Sequence, residues 1–302
     1  MFTDILIIAD IEGSSGCWDY AGSSFLTRQW AAACREMSRD VNALAAALLD
    51  AGARRVRIKD FHRSGFNIFP ELVDRRAELI CGYQRGPVPG IGSVGGVQAV
   101  FFLGLHAASG TPGFLSHTLT SRLSAVTVNG RPMPEIALFA AALAPYQIVP
   151  VFFSGCPEAC RQAAAVVPGI ATHPIDKSGG PGALNPGNWR RQLGQKGAAA
   201  LRLNHLKPYR RSGPFSVYIT FRDGEGAAAA VARRWQLTRR GSRVTFNAGN
   251  MAALYMMLIR LCYLTPTVER LLPIGLPLFN LRGRLGRAWA RSVIAHRRGR
   301  VI

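Results

Sequence analysis

Apolar residues fall along this chain in blocks whose period switches between that of a strand and that of a helix. Ile5, Leu6, Ile7 and Ile8 form an unbroken apolar run that predicts a buried strand, ending at Asp10, Glu12 and a Gly/Ser loop through Gly16. Over residues 28–51 the period lengthens. Trp30, Ala33, Met37, Val41, Leu44, Ala45 and Leu48 recur at helical spacing, and Gly52 supplies a stop. Residues 55–59 read as a second strand, running into Asp60, Phe61 and His62. A short helix near 70–73, a strand over 77–81 and a Gly/Pro-rich loop over 85–96 follow. Residues 97–105 are another buried strand, and it delivers His106. Beyond it come a strand at 124–128, the turn Asn129-Gly130, a helix over 132–144 with Glu135 in its first turn, a strand at 147–153 and a helix at 156–166.

This alternation through residue 175 is the pattern of an α/β fold, a mostly parallel sheet flanked by helices, here taken as a metal-binding catalytic domain over 1–175. Composition shifts at 176–188, DKSGGPGALNPGN, an inter-domain linker or a substrate loop. Residues 189–264 then predict a second, smaller α+β domain, with helices over 189–203, 226–235 and 251–264 and strands over 215–221 and 242–246. Residues 265–302 stand apart as an Arg-rich C-terminal extension. Its apolar start is broken by Pro273 and Pro277, and Arg282, Arg284, Arg287, Arg291, Arg297, Arg298 and Arg300 crowd its end. A basic amphipathic tail suits anionic lipid or nucleic acid, while a solvated, partly disordered tail is the plainer expectation.

Composition narrows the class. With 302 residues, 48% of them hydrophobic and 18% charged, the chain is globular rather than disordered and can bury a core. Its net charge of +20, from 37 basic and 17 acidic residues, favours anionic partners, although high-GC codon usage produces the same Arg excess without one. The most apolar stretch, residues 137–155, is interrupted by Pro145 and Pro150, so a spanning helix is not expected. Asp4 interrupts the start and no basic segment precedes the first apolar run, which argues against a secretory signal and for a cytoplasmic protein. The six cysteines show no CxxC pair. Cys156 and Cys160 sit one helical turn apart, a spacing open to a soft metal, but a helix opening with a buried thiol is the simpler reading.

Candidate chemistry lies at strand ends, where ligands bind in open α/β sheets. Asp10, Glu12, His62 and His106 all fall there, and Glu135 opens a helix. Positions i and i+2 of a strand point to the same side, so Asp10 and Glu12 can face one site; taken alone, the pair also reads as solvated turn residues. Together the five make a mixed N/O donor set suited to zinc or a similar divalent ion, and they can hold two ions if one carboxylate bridges. Two such ions polarise a carbonyl and lower the pKa of a bound water to roughly 7, the chemistry of amide hydrolysis. His117 follows His106 in a loop and can serve as general acid or base. His173, His205 and His296 lack that setting and are read as non-catalytic.

Four ordered motifs carry a resemblance. D-x-E-G-x-S-G is present as Asp10, Glu12, Gly13, Ser15 and Gly16, and D-x-H with a following Asn as Asp60, His62 and Asn67. F-L-G-x-H-A with T-P-G and S-H is present as Phe102 to Gly104, His106-Ala107, Thr111 to Gly113 and Ser116-His117. N-x-R-P and a helical Glu are present as Asn129, Arg131, Pro132 and Glu135. In these the chain resembles the DppA-like D-aminopeptidases, a family of binuclear zinc metallopeptidases, over residues 5–138 and more weakly to about residue 264. The resemblance implies that Asp10, Glu12, His62, His106 and Glu135 bind two zinc ions, with Asp10 bridging, and that His117 is the catalytic histidine, as nucleophile or acid/base. It also implies a homo-oligomer, a homodecamer of stacked pentameric rings. The chain departs from the family at Gly155-Cys156-Pro157, at Ser178 to Pro181 after Lys177, and in the extension past Leu264. The expected function is therefore metal-dependent removal of an N-terminal residue, a D-residue by resemblance, from a short peptide. Two alternatives stand beside it: a related amide hydrolase or amide-forming enzyme of specialised peptide metabolism, and a basic nucleic-acid- or membrane-binding protein with a vestigial metal site.

Overall fold

The most apolar segments of the chain line up side by side. In the computed structural model, which describes residues 1–298, a six-stranded sheet has the order β3-β2-β1-β4-β7-β8 with every pairing parallel. Its strands are β1 (Asp4–Ala9), β2 (Arg55–Asp60), β3 (Glu78–Ile80), β4 (Ala99–Leu105), β7 (Val149–Gly155) and β8 (Ala171–Pro174). Every residue of β4 and β7 is buried, as expected of strands covered on both faces. Helices α1 (Tyr20–Ser23), α2 (Arg28–Asp50), α3 (Glu135–Leu143), α4 (Pro157–Val166) and α5 (Pro186–Ala200) lie between or beyond these strands. The Thr27 hydroxyl caps α2 by accepting from the Trp30 amide at 2.9 Å, and its apolar stripe from Trp30 to Leu48 is buried. The strand β8, a strand at Thr238–Arg240 and the short α1 have no counterpart in the sequence reading; each is only three or four residues long.

A second, antiparallel sheet has the order β10-β11-β9-β5-β6. It comprises β5 (Leu123–Val128), β6 (Arg131–Pro132), β9 (Phe215–Phe221), β10 (Thr238–Arg240) and β11 (Arg243–Ala248), with α6 (Gly224–Trp235) and α7 (Met251–Tyr263) alongside. Here the structure corrects one expectation. The strand at 124–128 does not continue the parallel sheet but runs antiparallel to β9, with Val126 opposite Ile219. Its residues carry the signal: Leu123, Val126 and Val128 are buried while Ser124, Ala125 and Thr127 are only partly covered, the half-open pattern of an antiparallel strand.

The C-terminal extension is also corrected. It forms a helix, α8 (Pro266–Arg298), rather than a disordered tail; Arg300 lies outside the described residues. Gly283, Gly286 and Ala290 recur at i, i+3 and i+7 and make a narrow face. A Cβ at Gly283 would lie 2.4 Å from the Phe66 ring, and one at Gly286 would lie 2.2 Å from the Phe25 ring. Ala290 is fully buried, and Trp289 stacks on Trp30 with ring centroids 6.3 Å apart. Among the described residues no single helix is long and apolar enough to cross a membrane. α7 and α8 reach that apolar length only together, bent by 86°, and α7 buries Leu254, Leu258 and Leu261 within the protein.

Candidate active site

Three parallel strands end beside one another, and their ends supply the polar groups of one buried cluster. Asp10 and Glu12 follow β1, His62 follows β2 and His106 follows β4. Glu135 is the first residue of α3, and His117 sits in the loop between β4 and β5. The turn after β1 is pressed onto β4. The Gly13 amide donates to the Gly104 carbonyl at 2.7 Å, and Gly104 has φ +78°, where a Cβ would lie 2.2 Å from the Asp10 carbonyl oxygen. Only glycine fits there.

His62 Nδ1 lies 3.0 Å from Asp10 Oδ1 and 3.0 Å from Glu12 Oε2. Its other nitrogen, Nε2, is 2.8 Å from the Ser23 carbonyl. A carbonyl only accepts, so Nε2 carries a proton, and Nδ1 faces two carboxylates: as an imidazolium it donates to Asp10, and as a neutral ring it turns a lone pair toward them. Either way the carboxylates are balanced by a positive charge, the imidazolium's own or that of a cation held between the groups. Glu12 Oε2 is buried and, despite its nearness to His62, has no hydrogen-bond partner, because the Nδ1 direction serves Asp10. His106 repeats the design, with Nε2 3.3 Å from Asp10 Oδ2 and 3.7 Å from Glu135 Oε1 and with Nδ1 3.3 Å from the Ala107 carbonyl. The donor atoms form two triads, Asp10-Glu12-His106 and His106-His117-Glu135, each within 4.8 Å, that meet at His106. A histidine whose far nitrogen is fixed by a carbonyl while its near nitrogen faces carboxylates is how metal-binding imidazoles are held.

The electrostatics agree. Burial alone would raise the Asp10 carboxyl, but hydrogen bonds and charge from His106 and His62 outweigh it and hold it well below the usual range. Burial opposes charge on His62 and His106 as well, yet Glu12 with Asp10 raises the first and Glu135 with Asp10 raises the second. The cluster therefore draws in positive charge. His117 goes the other way: burial, then the neighbouring His106, push it down to about 4. Its ring stacks on that of His106 at 3.8 Å, and its Nδ1 is 2.7 Å from the Leu115 carbonyl, which leaves the Nε2 lone pair free.

All six residues singled out in the sequence thus meet in one place. His173 does not join them: it is stacked on Trp189 at 5.1 Å. The groups that hold the cluster in place include one with no motif to mark it, Lys177, and two from the D-x-H motif, Asp60 and Asn67. Lys177, in the glycine-rich segment expected to be a linker or substrate loop, is buried and donates to the carbonyls of Glu12 at 2.9 Å, Ser14 at 2.6 Å and Cys17. It clamps the turn that bears Glu12. Asp60 is fully buried and accepts from the amides of Asn67 and Ile68 and from Asn67 Nδ2, while that nitrogen also donates to the His62 carbonyl at 2.7 Å. The D-x-H pair thus divides its work, Asp60 shaping the turn that presents His62.

The profile of a peptidase family described as D-aminopeptidase, peptidase M55, matches residues 4–259. The chain belongs to this D-aminopeptidase family. A D-aminopeptidase of Bacillus subtilis (strain 168) is 28% identical over 199 residues, covering 64% of this chain and 71% of that protein. Among solved structures, the fold is shared by one described as the Zn-dependent D-aminopeptidase DppA from Bacillus subtilis, a self-compartmentalizing protease. The TM-score is 0.76 at 24% identity, over 86% of this chain and 97% of that one. Within the D-aminopeptidase family the motifs that place Asp10, His62, His106 and Glu135 fall inside the matched segment, whereas all of α8 and the end of α7 lie past it.

Proposed function

We propose that this D-aminopeptidase family member is a zinc enzyme that releases an N-terminal residue of D-configuration from short peptides, with Asp10, Glu12, His62, His106 and Glu135 holding two zinc ions. The observation that carries the reading is the pair of donor triads meeting at His106, with His62 Nδ1 3.0 Å from both Asp10 and Glu12 and an unpartnered Glu12 oxygen beside it. Zinc held there supplies Lewis acidity toward a carbonyl oxygen and makes a bound water acidic near neutral pH. Asp10, whose two oxygens face His62 and His106 separately, would be the carboxylate shared between the two halves of the site. His117, uncharged and with Nε2 free, accepts the proton of the attacking water and returns it to the departing amine. Lys177 keeps the Glu12 turn in register, and Ser23 and Ala107 fix the histidine tautomers through their carbonyls.

The structural relative is described as self-compartmentalizing, which supports a homo-oligomer here, proposed as a decamer. A cytoplasmic location is part of the same proposal. The deciding experiment is metal content on protein purified without chelator, followed by hydrolysis of paired D-Ala and L-Ala p-nitroanilides. About two zinc ions per chain with faster turnover of the D-substrate is the expected outcome, and protein that takes up no zinc and cleaves neither substrate defeats the reading.

A further inference from the structure

The cluster of Asp10, Glu12, His62, His106, His117 and Glu135 opens into a cavity of about 1220 Å³. Small-molecule sites usually span roughly 300–1,000 Å³, so this one is large. One wall is strongly apolar and is made by Met256, Ile259, Val268, Leu272, Leu276 and Phe279, from α7 and the N-terminal half of α8. Most of that wall lies past residue 259, where the match to the family ends.

The wall is held at both ends. Arg260 grips Glu269 through two nitrogens, at 3.0 and 2.8 Å, at the start of α8. At the other end Asn280 accepts from the Tyr83 amide at 3.0 Å and donates to the Tyr83 carbonyl at 3.1 Å, and the narrow Gly283/Gly286 face is seated on Phe66 and Phe25 just beyond. Residues 270–279 therefore span the cavity between two anchors. A short polar peptide leaves such a wall facing water, an unfavourable state that a long apolar group removes.

We propose that this enzyme cleaves amides whose leaving amine carries a long apolar group, an alkyl chain or an extended apolar peptide, and that the N-terminal half of α8 selects it. The proposal rests on the hydrolytic reading above. Water adds to the carbonyl carbon, the C–N bond breaks, the amino acid leaves with the hydroxyl oxygen, and the amine leaves with the proton. The apolar group of that amine lies along Leu272, Leu276 and Phe279.

The test uses full-length, zinc-loaded protein and D-alanine n-alkylamides from methyl to decyl. kcat/KM rises with chain length by up to about fourfold per methylene until the cavity is filled, and the octyl-to-methyl ratio collapses toward one in Leu272→Glu and Leu276→Glu. Both side chains are only half-buried, and a thermal melt of each variant verifies folding. Equal cleavage of the methyl and octyl amides overturns the inference and leaves the aminopeptidase reading intact. If no amide is cleaved, that reading fails and calorimetric titration with the same alkylamides decides: affinity that grows with chain length supports the apolar site, and flat affinity overturns it. D-Ala-Leu-Leu in a parallel arm distinguishes the sources, since preference for the decylamide assigns an alkyl chain and preference for the tripeptide an apolar peptide.

Discussion

At the scale of single residues, the cluster separates groups that need a cation from one that does not. Asp10 is the common partner of His62 and His106, so Asp10→Ala leaves both imidazoles without their shared contact. The expected result is loss of zinc measured by plasma mass spectrometry. His117 is tied to the Leu115 carbonyl on one side and stacked on His106 on the other, and His117→Ala is expected to keep zinc while turnover of D-Ala p-nitroanilide falls by about 10²–10⁴. Equal zinc loss in both variants would remove the distinction and make His117 a ligand. Lys177 belongs to neither group. Its three acceptors are backbone carbonyls at least 160 residues away in sequence, so no side-chain pattern could have announced it.

Elements differ in how plainly the sequence announces them, and the difference follows burial. β1, β4 and β7 are covered on both faces and appear as continuous apolar runs, so their C-terminal ends, with Asp10 and His106, can be placed directly. β5 is also recognisable as a strand, but its sheet is set by β9, almost ninety residues later, and nothing local specifies that partner. α8 was hidden for a different reason. Gly283 and Gly286 lower helix propensity and Pro273 and Pro277 each remove a backbone donor, so local preference argues against the helix that tertiary contact stabilises. Gly286→Leu tests that account. A side chain there collides with Phe25, and the expected effect is a lowered melting temperature with faster amide exchange across 266–296, while a Leu tolerated without either change would show that the close approach is dispensable.

For the molecule as a whole, stability should vary with pH through a residue that takes no part in the proposed metal site. Lys59, on β2, is fully buried, donates to the Gly82 carbonyl, and is pushed by burial from 10.5 down to about 8. The unfolded chain therefore binds more protons than the folded one between about pH 8 and 10.5, and the unfolding free energy rises with pH across that window. Relative to Lys59→Met, the wild-type gain is on the order of 3 kcal/mol, read from urea titrations at the two ends; a flat difference would mean the amine is solvated in the native state. The two sheets also impose an order of assembly. By the time residue 135 has left the ribosome, all six cluster residues have been made, but β5, which lies between His117 and Glu135, waits for β9, Phe215–Phe221. A nascent chain shorter than that carries the cluster's components without the β5–β9 pairing that flanks His117 and Glu135, so the site cannot be fully framed until residue 221 has been made.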